Sequence, residues 1–170
     1  MHRLIMMMAV LCGVLPGVAG AQPSGDADEV LLRVTGEVVS TPLVLTRAAF
    51  RTLPHDSVQV QFHESPPQWY HGVRLQELLR RAGVPTGDQV RGEAMSLVVL
   101  CVAHDGYRVV FGLTDLDPDF TDRVALVADT VDGKPLPDAE GPLRLVMLGE
   151  KRGARMPRQL TEIRVLRVQP

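Results

Sequence analysis

Beyond its first 21 residues the chain offers only short apolar runs, each cut off by turn residues. Val30–Gly36 reads as a strand ending at glycine, and Pro42–Leu45 as a second short one. Thr46 is placed to cap a short helix from Arg47 to Leu53, which Pro54 closes. Ser57–Phe62 alternates apolar and polar residues with period two, the mark of a half-buried strand. Trp69–His71 is a further extended piece. Strands are also expected at Ser96–Ala103 and Tyr107–Phe111, around the tight turn His104-Asp105-Gly106. Others are expected at Val124–Ala128, Leu143–Leu148 and Leu160–Val168, the last with Ile163, Val165 and Val168 available for a core. Asp132-Gly133 makes a turn before Lys134-Pro135-Leu136. The clearest helix is Val73–Ala82, which puts Leu75, Leu78, Leu79 and Ala82 on one face. Gly83 follows as its stop, with Pro85 just beyond. Many short strands with two or three short helices specify an α+β domain built on mixed β-sheet.

The N-terminus is read apart from this fold. Arg3 supplies a positive lead, Leu4–Val18 is apolar, and Ala19-Gly20-Ala21 gives small residues before Gln22, the pattern of a cleaved secretory signal. The run is short for a membrane span, which needs about 20 apolar residues, and Pro16 and Gly17 interrupt it. Cys12 lacks the residues of a lipoprotein site before it. The expected organisation is a signal peptide over residues 1–21, a disordered polar lead over 22–29 and one domain over 30–170. The protein is then periplasmic or secreted, with no stable membrane span after cleavage. Only Cys101 survives cleavage, so no internal disulfide forms. Its apolar strand marks it as a buried, inert thiol.

Charge is unevenly placed. Residues 141–170 carry seven Arg or Lys against two Glu, a balance of +5, while residues 22–140 carry ten basic against eighteen acidic, a balance of −8. Such a chain is a poor nucleic-acid partner; a local basic loop holding a small anion fits better. That loop is Gly149–Arg158, with Lys151, Arg152, Arg155 and Arg158. Guanidinium groups grip phosphate-like oxygens in a bidentate way, and Gly149 and Gly153 permit close approach and positive φ. A merely solvated cationic loop is the plainer alternative. No nucleophile elbow, phosphate-binding glycine loop or outstanding carboxylate pair is present. His55, His63, His71 and His104 show no paired metal-ligand spacing. His63 and His71 flank a Pro-Pro loop, but surface or turn histidines are the simpler reading, so no metal ligand and no catalytic residue is assigned.

Several blocks, in order, resemble the oxidoreductase molybdopterin-binding domain of sulfite-oxidase-type enzymes. They are Val34–Val38, Gly72–Gly83, Asp105-Gly106-Tyr107, Leu126-Val127-Ala128, Asp132–Leu136 and Gly141–Val146. The resemblance implies a mixed α+β fold, in agreement with the strand reading. In that family an early strand ends in a cysteine that ligates molybdenum; the matching segment here, Val58–Glu64, holds none, and Cys101 belongs to a later strand. The family's basic stretch that holds the pterin phosphate usually ends in Lys-Trp. Here it reads Arg155-Met156-Pro157-Arg158, which keeps the charge and loses the pair. Tyr107 matches a tyrosine near the family's metal. Family enzymes are exported already loaded, typically behind a twin-arginine signal, whereas this chain has His2-Arg3.

Two expectations follow. The first is an exported, non-catalytic binding or partner module with a degenerate metal site and no cofactor, serving a small anionic ligand or another exported protein. Its candidate ligand-binding residues are Tyr107, Lys151, Arg152, Arg155 and Arg158. The second is an active molybdopterin-dependent oxidoreductase with a non-cysteine metal ligand, His63 or Glu64. Soft thiolate suits molybdenum better than imidazole or carboxylate, which favours the first.

Overall fold

The computed structural model describes residues 29–37, 39, 41–62 and 65–169. The expected signal peptide and nearly all of the polar lead lie outside the described residues, as do His63 and Glu64. Among the described residues, ten strands and two short α-helices follow one another in the order β1 (Val30–Gly36), β2 (Leu43–Thr46), α1 (Arg47–Arg51), β3 (His55–Val60), β4 (Gln68–Arg74), α2 (Leu75–Arg81), β5 (Leu97–Ala103), β6 (Arg108–Gly112), β7 (Ala125–Val131), β8 (Lys134–Pro135), β9 (Arg144–Met147) and β10 (Leu160–Arg167). Short 3-10 turns join several of them. No described helix is long and apolar enough to cross a membrane.

The strands form two sheets. The first has the order β2-β1-β10-β5-β6, mixed because β1 and β10 run parallel while its other pairs are antiparallel. The second has β3-β4-β7 with β8 and β9 both on the far edge of β7, all antiparallel. Both sheets and both helices contribute to one contiguous apolar core. β5 shows how the sequence pattern sorts itself: Leu97, Val99, Cys101 and Ala103 point inward and are buried, while Val98, Leu100 and Val102 are only half-buried.

Helix α1 begins where its cap predicts, with the Ala49 N–H donating to Thr46 Oγ1 at 3.2 Å. Helix α2 starts later than the periodicity suggests. Val73 and Arg74 belong to β4, where Val73 is paired on both sides, with His55 of β3 and Val127 of β7. Two ladders of backbone hydrogen bonds hold the β-branched Val73 extended, in keeping with its preference for strands, and Arg74 continues β4 opposite Leu126 of β7. The expected apolar face is in place: Leu75, Leu78, Leu79 and Ala82 are all buried, and α2 lies against β4 and β7. Gly83 ends it at φ +80°, the left-handed conformation that stops a helix. At Gly72 β4 passes so close to β7 that a Cβ would run into the Val127 carbonyl. Val168 departs from expectation: β10 ends at Arg167, and Val168 is 58% exposed.

Candidate functional site

A cleft of about 810 Å³ opens where strands of the two sheets converge. Its walls come from Phe62 just after β3, Gln68 and Tyr70 on β4, the β5–β6 turn, Glu140 of the β8–β9 connection, Arg144 at the start of β9, and the β9–β10 loop. Backbone hydrogen bonds lock the second half of that loop alongside β9. Leu145 N–H donates to Pro157 O at 2.9 Å, Leu160 N–H to Leu143 O at 2.8 Å, and Gln159 N–H to Glu140 O at 2.8 Å.

Arg144 is the central feature. It opens an otherwise apolar, fully buried strand and is itself only 2% exposed. Burying a charge is costly unless it is paired. The pairing comes from Glu140, whose carboxylate accepts a hydrogen bond from Arg144 Nη1. Two aromatic rings supply the rest: the guanidinium carbon lies 4.5 Å from the Phe62 ring centroid and 5.4 Å from that of Tyr70. The two rings meet edge to face at 5.9 Å. Arg144 Nε is buried and finds no partner among the described residues. Burial raises the Tyr70 hydroxyl above its ordinary range, opposed in part by the nearby Arg144 charge, and that hydroxyl donates to Gln68 Oε1 at 3.3 Å.

The structure divides the cationic residues singled out from the sequence. Arg152 and Arg158 line the cleft. Arg155 does not. Its guanidinium lies 4.8 Å from the Phe111 ring centroid, and its Nη1 stands 3.4 Å from Glu150 Oε2. Lys151 is exposed and also off the cleft wall. Glu150 shapes this half of the loop: its Oε1 accepts the backbone N–H groups of Lys151 at 2.9 Å and Arg152 at 3.2 Å. Gly149 adopts φ +80°, whereas Gly153 stays outside the positive region. Tyr107 lines the cleft at 47% exposure, but its hydroxyl donates to Ala154 O at 2.8 Å. It therefore braces the loop against the β5–β6 turn.

The cleft is mixed in sign: three guanidinium groups share it with Glu140 and Asp105. Arg144, Glu140, Tyr70 and Phe62 were not singled out from the sequence as site residues. The signal was present in Arg144, a single charge inside the apolar run Leu143–Leu148, which has to find a partner wherever it is buried. Among the described residues, no three His, Cys, Asp or Glu side chains gather as a metal-ligand set. Cys101, fully buried in β5, has its thiol pushed up to about 12 by burial.

The oxidoreductase molybdopterin binding domain model matches residues 19–170. Among solved structures, the sulfane dehydrogenase SoxCD from Paracoccus pantotrophus is similar at a TM-score of 0.63 and 18% identity, over 87% of this chain and 40% of that one. The chain thus spans about two fifths of that structure's length, and the likeness is one of fold. No curated protein sequence matches. With a sulfite-oxidase-type fold and a family match over nearly its whole length, the chain belongs to the oxidoreductase molybdopterin-binding domain family.

Proposed function

We propose that this chain is an exported binding or partner module of the molybdopterin-binding family, whose cleft takes a small oxyanionic ligand without molybdenum chemistry. One observation carries the reading. The cleft presents Arg152 and Arg158 to an anion, with Arg144 buried in its wall against Glu140, yet its described walls hold no thiolate. The donor set fits the phosphate end of molybdopterin and other phosphate-bearing small molecules alike, since guanidinium groups bind such oxygens through charge-assisted hydrogen bonds. It does not fit the metal end among the described residues: Cys101, the cysteine they include, is sealed in the core on β5 and does not reach the cleft wall.

The second reading, a working molybdopterin oxidoreductase with a non-cysteine ligand, draws on the family match itself and on Phe62. That residue lines the cleft and directly precedes His63 and Glu64 in the chain.

Protein purified from its native compartment separates the two. The binding-module reading expects no stoichiometric molybdenum by elemental analysis and no pterin fluorescence after oxidation. It also expects salt-sensitive binding of phosphate monoesters. Stoichiometric molybdenum or pterin would overturn it in favour of the enzyme.

A further inference from the structure

We propose that a second groove, lined by a different set of residues from the cleft, binds a small zwitterion: a free amine–carboxylate such as an α-amino acid with an apolar side chain. The groove encloses about 380 Å³. Arg47, the first residue of α1, Asp129 of β7 and Asp138 of the β8–β9 connection supply its charges. Pro135, Leu136 and Pro142 supply an apolar lining.

Three observations point to a ligand of both signs. No hydrogen bond or ion pair joins Arg47 to either aspartate, although unlike charges line one groove. Arg47 Nε and Asp129 Oδ1 are both buried, and neither finds a partner among the described residues. The other Asp129 oxygen is not hydrogen-bonded either: His55 Nε2 faces Oδ2 at 3.6 Å, beyond hydrogen-bond range. His55 is held in that direction by its Nδ1, which donates to the Leu53 carbonyl at 2.8 Å, an oxygen that only accepts. Oδ1, buried without a partner among the described residues, is the oxygen most in need of a visiting donor. A simple anion drawn to Arg47 would face two carboxylates; a simple cation drawn to the aspartates would leave the guanidinium without a partner. A carboxylate on Arg47 and an ammonium between Asp129 and Asp138 satisfy both ends, and the apolar side chain rests on the proline and leucine surface.

The test is an NMR titration of the full protein with leucine, valine, methionine and proline as free amino acids, beside N-acetylleucine and leucinamide, each of which lacks one charge. The expected result is saturable movement of the Arg47, Asp129 and Leu136 amide signals with at least one free amino acid. The singly charged analogues are expected to bind about tenfold or more weakly, the loss of one charge-assisted contact. Arg47→Gln and Asp129→Asn should each weaken binding to a similar degree, and Arg158→Ala, on the other cleft, should leave it unchanged. No saturable movement with any of the four amino acids overturns the proposal, as does equal binding of the singly charged analogues. The analogue comparison uses unaltered protein, so it decides the matter even where a variant fails to fold.

Discussion

The Arg144 guanidinium rests 4.5 Å from the centre of the Phe62 ring, and the same arginine is bound to Glu140. A buried cation is thereby held by one carboxylate and two aromatic faces instead of by solvent. Removing the cation alone strands Glu140. Arg144→Met should cost about 3 kcal/mol, the low end for breaking a buried pair from one side, since the Glu140 side chain keeps some solvent contact. Urea denaturation checks this. The double variant Arg144→Met with Glu140→Gln should recover much of the loss; no recovery would mean that the pair is not the source of the cost.

The α2 face gives a second stability test. Leu78 is fully buried, so Leu78→Ala should cost about 2–5 kcal/mol. A loss below about 0.5 kcal/mol, in the range of ordinary surface changes, would place that face outside the core.

That helix, Gly83 and the Thr46 cap were legible in the sequence because each depends on neighbours a few residues away. The strand identities were legible too, through period-two alternation at β3 and a continuous apolar run at β5. The helix start was not: whether Val73 is strand or helix depends on pairing with His55 and Val127, 18 and 54 positions away in the chain. The site was half-legible for the same reason. The charge count pointed to the loop at 149–158, and the loop does wall the cleft, but charge alone does not tell Arg158, which faces the cleft, from Arg155, which turns toward Glu150 and Phe111. Arg144 was hidden because its role rests on Phe62 and Tyr70, which are far from it in sequence.

Cys101 supplies a test in pH. An acid whose pKa is raised in the folded state holds its proton longer there than in the unfolded chain. The stability that goes with this is complete below about pH 9, where the unfolded thiol begins to ionise, and is lost as pH rises toward 12. The expected loss is about 1.4 kcal/mol between neutral pH and pH 10 from this group. Denaturant midpoints over that range measure it. Cys101→Ala lowers stability at every pH but should remove this part of the slope; an unchanged slope would show that the thiol is not its origin.

Export predicts a processed N-terminus. Mass spectrometry of protein from its native host should find a chain beginning at or near Gln22, after Ala19-Gly20-Ala21. An intact N-terminus in the membrane fraction would overturn export with cleavage.

The basic loop offers the sharpest comparison, because the structure gives its cations different work. Arg152 and Arg158 line the cleft, whereas Arg155 is turned to Glu150. Each charge-assisted contact to an ionised ligand is worth about 1.5–3 kcal/mol. Arg152→Ala combined with Arg158→Ala should therefore weaken binding of a phosphate monoester by about two orders of magnitude or more, and the remaining affinity should depend less on salt, since exposed charges are the ones screened. Arg155→Ala should leave affinity within a few fold. Its cost should appear in stability instead, because among the described residues it leaves Glu150, already buried at Oε2, with Arg123 at 4.0 Å as its remaining counter-charge. Calorimetric titration at low and high salt, with thermal denaturation of the same samples, reads both effects. A large affinity loss in Arg155→Ala with none in the double variant would place the anion on the outer side of the loop, against Phe111, instead of in the cleft.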